Sequence, residues 1–143
     1  MQDNQKPKTV SMTMRELNES QNALMNLEQQ SLDVKTAYWI GKHLKKLRTK
    51  YNQILANGEK ERRELIEELG EPVMVDDGKG GKKPSGQFSI PDPEKAKLFG
   101  SRFDEVLERT VEFEVTQIPL SMLGDTKMQV ADMGALDWLI IED

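Results

Sequence analysis

The chain of 143 residues contains no cysteine and one histidine, His43. Without cysteine there are no disulfides, thiolate metal sites or thiol nucleophiles. With one histidine, only carboxylates remain to complete a zinc site, which needs three or four ligands. Aromatic residues are also scarce: two Trp, two Tyr and four Phe. Aliphatic side chains and the eight Met must therefore fill the core, and Met packs adaptably while specifying shape weakly. No run approaches the ~18 apolar residues that a membrane-crossing helix requires. The opening Met1 to Lys8 is polar and lacks an apolar signal core, so residues 1–8 are expected to be a disordered tail.

What is present is charge. Charged residues make up 31% and apolar residues 36%, with a net charge of −5. This balance suits a soluble cytoplasmic domain with a modest core. It argues against direct, non-specific nucleic-acid binding and gives no reason to expect a membrane.

Periodicity divides the chain. Val10, Met12 and Met14 alternate with Ser11 and Thr13, which predicts a short strand. Thr13 and Glu16 fit a capping box that opens a helix running to about Gln29. Asp33 is a candidate N-cap for a second helix over 33–69. Its expected core stripe is Val34, Ala37, Tyr38, Leu44, Leu47, Tyr51, Ile54 and Leu55, resuming at Leu65, Ile66 and Leu69. Asn57-Gly58 is a turn signal within it. Leu65 stays in phase with Leu44, Leu47, Tyr51 and Ile54, so one continuous helix is favoured, supported by Glu59–Arg63 and Arg63–Glu67 pairs.

Gly70 and Pro72 end that helix. Val73-Met74-Val75 and Gln87-Phe88-Ser89-Ile90 then read as a hairpin with a flexible tip at about 76–86. Asp92 and Pro93 open a third helix, whose inner face is Ala96, Phe99, Phe103, Val106 and Thr110. Val111, Phe113 and Val115, alternating with Glu112, Glu114 and Thr116, give the clearest strand. Met128 to Ile141 reads as a closing helix. The fold class is α+β: about four helices, one long and charged, packed with a small antiparallel sheet that includes a hairpin. Residues 9–143 are expected to form a single domain.

The glycine-lysine stretch Gly78-Lys79-Gly80-Gly81-Lys82-Lys83 invites comparison with a phosphate-binding loop. The match fails. Gly81 and Gly86 have the spacing, but Gln87 stands where Lys is needed, and a strand follows instead of a helix. Asp76-Asp77-Gly78 also lacks the alternating ligands of a calcium loop. The segment therefore reads as a solvated hairpin tip. No Gly-x-Ser-x-Gly motif is present, and no catalytic residue, cofactor or metal is assigned. Glu112 and Glu114 share a strand face as surface carboxylates.

The remaining candidates concern partners. His43 lies among Lys42, Lys45, Lys46, Arg48 and Lys50, a stretch that suggests either a solvated face or a basic contact patch. Trp39 is turned about 100° from Tyr38, toward Lys42 and Lys46, and is expected to be either a second core contact or an exposed interface anchor. The candidate partner-binding residues are Trp39, Lys42, Lys46, Glu64, Glu67, Glu68 and Trp138, with Trp138 expected to be buried in this core or against a second copy.

The order of several segments carries a resemblance. Leu17-Asn18-Glu19 starts a helix, and Val34-Lys35-Thr36-Ala37-Tyr38 opens the long charged one. Phe88-Ser89-Ile90-Pro91 precedes an acidic helix, followed by Val111-Glu112-Phe113-Glu114-Val115. Ile118-Pro119-Leu120-Ser121 and Ala135-Leu136-Asp137-Trp138-Leu139-Ile140 close the chain. Over residues 14–141 this resembles a family of short proteins of unknown function encoded by tailed bacteriophages and prophages. The long glycine-lysine tip departs from it. The resemblance implies a viral origin and a non-enzymatic role.

On that basis the expected function is binding of a host or phage protein, with inhibition of host machinery as one form. In that form, neutralising the acidic residues of 59–71 or 132–143 would abolish activity. The alternative is an assembly factor or minor virion component that self-associates through the long helix, burying Trp138 and Ile141 between copies.

Overall fold

The computed structural model describes residues 6–143. The fold is α+β, with the helices accompanied by two-stranded sheets. The described residues divide into two compact units. Unit 1 combines the chain up to Leu55 with Thr110–Asp143, and unit 2 is Ala56–Arg109. Of the expected tail, residues 1–5 lie outside the described part, and strand β1 already begins at Lys8.

In unit 1, β1 (Lys8–Thr13) pairs antiparallel with β4 (Thr110–Val115), placing Val10 opposite Phe113 and Met12 opposite Val111. Alternation turns Val10, Met12, Phe113 and Val115 inward. The capping box forms: Thr13 Oγ1 accepts from Glu16 N at 3.1 Å, and Glu16 Oε1 accepts from Thr13 N at 3.2 Å. The expected first helix is divided into α1 (Met14–Glu19) and α2 (Gln21–Glu28) around Ser20. Ser20 is fully buried. Its hydroxyl donates to Leu17 O at 2.7 Å and lies 2.7 Å from the Tyr51 hydroxyl.

Helix α3 runs unbroken over Val34–Leu69. Asn57-Gly58 does not interrupt it, as the phase of Leu65 implied. Asp33 caps it, accepting from Thr36 N at 3.0 Å and from Thr36 Oγ1 at 2.8 Å. The backbone hydrogen bond from Thr36 is the main reason the Asp33 carboxyl is held below its usual range.

Tyr51, Phe113 and Trp138 form an aromatic cluster in unit 1. Tyr51 stacks on Trp138 at 6.3 Å, and Phe113 meets Trp138 edge-on at 5.5 Å. The closing segment is not the expected helix over 128–141. Helix α5 spans only Val130–Ala135, and β6 (Ile140–Ile141) then pairs in parallel with β5 (Ile118–Pro119). The apolar run Leu139-Ile140-Ile141 pairs as a strand because Ile118 N already donates to Leu139 O at 2.7 Å. A short 3-10 helix, Leu120–Leu123, links β5 to the final segment, and Ser121 N donates to Asp143 Oδ1 at 2.9 Å.

Unit 2 contains the C-terminal part of α3, a hairpin and α4 (Pro93–Leu107). Hairpin strands β2 (Glu71–Asp76) and β3 (Lys82–Ser89) pair antiparallel and reach further toward the turn than expected, leaving a tip of only 77–81. Gly70 is required by a close approach. A Cβ there would lie 2.6 Å from Ile66 O and 2.7 Å from Ser89 O. Asp92 caps α4 through Glu94 N at 2.9 Å, with Pro93 in the first turn. Arg102 pairs with Glu68 at 3.1 Å and Arg109 with Glu61 at 2.8 Å. Each partner shifts by one heptad between the two pairs, in opposite chain directions, which fixes an antiparallel register of α4 on α3. Along this face Val106 is buried and Phe99 stacks on Phe103 at 5.8 Å, whereas Ala96 is exposed.

Candidate functional site

The glycine-lysine tip is already occupied by the chain's own carboxylates. Asp77 Oδ1 accepts from Lys79 N at 2.7 Å and from Gly81 N at 3.1 Å, while Asp76 Oδ1 accepts from Gly78 N at 3.1 Å. Gly78 and Gly80 take left-handed φ values of 77° and 82°, which turn these amides inward. Converging backbone amides make a small anion cradle, and here the anion is Asp77. No amide of this set is left for a phosphate, so the tip is a self-satisfied turn.

The first half of α3 corrects the expected stripe. Trp39 is only 2% exposed, whereas Tyr38 is 74% and Val34 85% exposed. Trp39 is therefore a core residue and not an exposed anchor. Its ring lies 4.4 Å from that of His43, and its indole N–H is buried with no hydrogen-bond partner among the described residues. The buried line runs Thr36, Trp39, Ile40, Leu44, Leu47, Tyr51 and Ile54. Stepping back from Leu47 by three or four residues reaches Leu44, Ile40 and Thr36, so the phase was present in the sequence. Starting the stripe at Val34 moved it by one residue, about 100° of helix.

This rotation gives the exposed face its character. Residues 34–58 carry Lys35, Lys42, Lys45, Lys46, Arg48 and Lys50, and no Asp or Glu. All five lysines are exposed. At 100° per residue Tyr38 falls between Lys42 and Lys45, with Val34 close by on the same side. Lys42 and Lys46 thus share a face with Tyr38, an expected core residue that is exposed. Arg48 is committed elsewhere: its Nη2 lies 2.5 Å from Glu28 Oε1, and it sits over the Tyr51 ring at 5.2 Å. The hydrogen bond to Glu28 raises its pKa further above the usual arginine value.

Beside this face, α2, residues 30–32 and α3 enclose a groove of about 350 Å³. Leu27, Leu32, Ile40 and Leu44 form its apolar walls, and Lys45 stands at its rim. Gly41 lines it too, and a Cβ at Gly41 would meet no atom within 4 Å.

The acidic candidates lie in unit 2. Glu64 and Glu68 line a cleft of about 310 Å³ together with Arg102 and Arg109, and Glu67 is exposed. Three carboxylates of this stretch of α3, one of them a candidate, are paired within the unit. Glu68 is held by Arg102, Glu61 by Arg109, and Glu59 by Arg62 at 2.7 Å. The last pair uses three-residue spacing, with Arg62 in the place expected for Arg63. The Glu59 pKa is lowered chiefly by its hydrogen bond to Arg62. Trp138 is half-buried in the aromatic cluster of unit 1, and its indole N–H donates to Ala135 O at 2.9 Å, so its ring is used within its own unit.

Among the described residues no group of three or more His, Asp or Glu side chains is arranged to hold a metal ion, and no helix is long and apolar enough to cross a membrane. Comparison of the chain with protein-family models, with curated proteins and with solved structures finds no match in any of the three.

Proposed function

We propose that this protein acts by binding another protein, without catalysis, through the exposed basic face of α3 over residues 34–50. The observation that carries this reading is the segregation of charge and apolar exposure on one helix. Lys35, Lys42 and Lys45 flank the exposed Tyr38 and Val34, Lys46 and Lys50 continue the exposed series along the helix, and the segment 34–58 has no acidic residue. An exposed aromatic residue among cations costs solvation and contributes nothing to this chain's own core, whereas aromatic residues are preferred anchors in interfaces. The acidic side chains of unit 2 support the choice by contrast, since Glu59, Glu61 and Glu68 already have arginine partners.

The resemblance to phage-encoded proteins supports a partner in the bacterial cytoplasm: a host protein whose activity is blocked or redirected. The lysines at 42, 45 and 46, on a segment without acidic residues, steer association with an acidic surface. The test is affinity capture from bacterial lysate, with and without phage infection, read by mass spectrometry. The bait is the native chain beside a Tyr38→Ala, Lys42→Gln, Lys46→Gln variant. A host protein at stoichiometric level that the variant loses supports the reading. Equal capture by both baits overturns it.

A second reading, self-association during assembly, is favoured by unit 2. Its hairpin is a two-stranded sheet with Met74 and Val75 exposed, and Leu98 of α4 is exposed as well. Such strand edges are templates for pairing with another chain. Recovery of only the chain itself, or of phage structural proteins, moves the weight to this reading.

A further inference from the structure

We infer that the groove between α2 and the first half of α3 seats a peptide segment of the partner that carries an apolar anchor residue flanked by acidic residues. The inference rests on the binding reading above and adds the seat and the chemistry of the occupant.

Shape is the first argument. The groove, about 350 Å³, lies at the small end of ligand-pocket sizes and suits one or two side chains. Its walls, Leu27, Leu32, Ile40 and Leu44, gain most from an apolar side chain. Gly41 keeps it open, because any larger residue on that turn would project into free space where nothing now stands. Glycine inside a helix otherwise costs about 0.5–1 kcal/mol relative to alanine. Nothing in the packing around Gly41 requires glycine, so its effect here is the open space it leaves.

Charge is the second argument and selects the occupant. Lys45 borders the groove, and Lys42, three residues before it, stands on the adjoining exposed strip of α3, with no acidic residue on 34–58. Arg48 and Glu28 at the other rim cancel each other. With that pair balanced, Lys45 leaves the rim net positive, which favours an anchor flanked by Asp or Glu. Nucleic acid fits less well. Bases are held by aromatic platforms and arginine planes, but the walls are aliphatic and the one nearby arginine is engaged. A second copy docking through the same patch would set lysines against lysines, because a two-fold contact repeats the same surface on both sides.

The test is selection from a displayed library of random dodecapeptides, using the full chain and a Gly41→Leu variant as separate baits. Leucine is a better helix former than glycine, so the variant keeps its fold, checked by circular dichroism, while its side chain fills the groove. The expected peptides place an apolar residue beside Asp or Glu. They lose on the order of tenfold in affinity for Gly41→Leu, a change of about 1.4 kcal/mol. They also weaken with rising salt, and less steeply for a Lys42→Gln, Lys45→Gln variant.

The inference is overturned if no peptide is enriched, if the enriched peptides are basic or lack an apolar residue, or if Gly41→Leu binds them equally. Binding of a labelled DNA duplex that the lysine variant loses and Gly41→Leu keeps would overturn it as well. So would concentration-dependent dimerisation abolished by Gly41→Leu. A captured protein that survives Gly41→Leu but not lysine replacement leaves the binding reading standing and removes the groove from it. Groove-dependent peptides without any captured protein do the reverse.

Discussion

The Tyr51 hydroxyl lies 2.7 Å from the Ser20 hydroxyl, and both side chains are buried. The same Tyr51 oxygen donates to Leu17 O at 2.9 Å, so one phenol ties α3 to the point where α1 passes into α2. Deleting that hydroxyl leaves Ser20 with its own bond to Leu17 O and removes the Tyr51 bond to the same oxygen. Tyr51→Phe is expected to cost about 1–1.5 kcal/mol, the range for a buried hydrogen bond. The shift of a urea unfolding midpoint measures it.

Tyr51 also sets an alkaline limit. Burial, its largest influence, raises its pKa above 10.0. In the unfolded chain the phenol ionises near 10.0, whereas the folded chain keeps it neutral. The stabilisation from this group is therefore complete below pH 10 and is lost as pH rises through the folded value. Unfolding free energies at pH 8 and pH 11 should converge for the native chain and Tyr51→Phe. Unchanged separation between the two would show that Tyr51 ionises equally in both states.

Gly70 stands against two backbone oxygens of its own unit. A methyl group there would contact two backbone oxygens, Ile66 O and Ser89 O, at distances no real Cβ adopts. Backbone cannot yield as a flexible side chain does, so Gly70→Ala is expected to cost about 1–3 kcal/mol. Loss should appear first in amide-exchange protection of β2 and β3. Gly41→Ala is the control: its Cβ meets nothing, and helix propensity predicts a gain of about 0.5–1 kcal/mol.

Asp77 holds the hairpin tip through the amides of Lys79 and Gly81. Asp77→Ala should release both amides to fast hydrogen exchange while leaving the rest of the chain nearly unchanged, since the site is a surface turn. Protection that persists at Lys79 and Gly81 would mean the glycine geometry alone sets the turn.

The register of α4 on α3 rests partly on Arg102–Glu68 and Arg109–Glu61. All four side chains are more than a third exposed, so each pair is expected to contribute only about 0.2–1 kcal/mol, screened by salt. A double-mutant cycle of Arg102→Gln and Glu68→Gln at low and high salt reads this coupling. Coupling that does not fall with salt would place the pair in a drier setting than its exposure indicates.

The sequence by itself determined the elements whose physics is local. The capping box at Thr13, the caps at Asp33 and Asp92, the alternation of β1 and β4, the hairpin around the glycine-lysine tip and the continuity of α3 all follow from neighbours within a few residues. It also excluded cysteine chemistry outright. The phase of α3 was legible from Leu47, Leu44 and Ile40, and tertiary structure showed which residues at the start of the helix follow it. Val34, Tyr38 and Trp39 are all apolar or aromatic, and helix propensity does not distinguish their faces. In the folded chain Trp39 is buried and Tyr38 is left exposed among the lysines. The same holds for the closing residues, where an apolar run suits helix or strand and pairing with Ile118 selected the strand. It holds too for the groove beside Gly41, because an empty volume is a property of surrounding elements and leaves no mark in the order of residues.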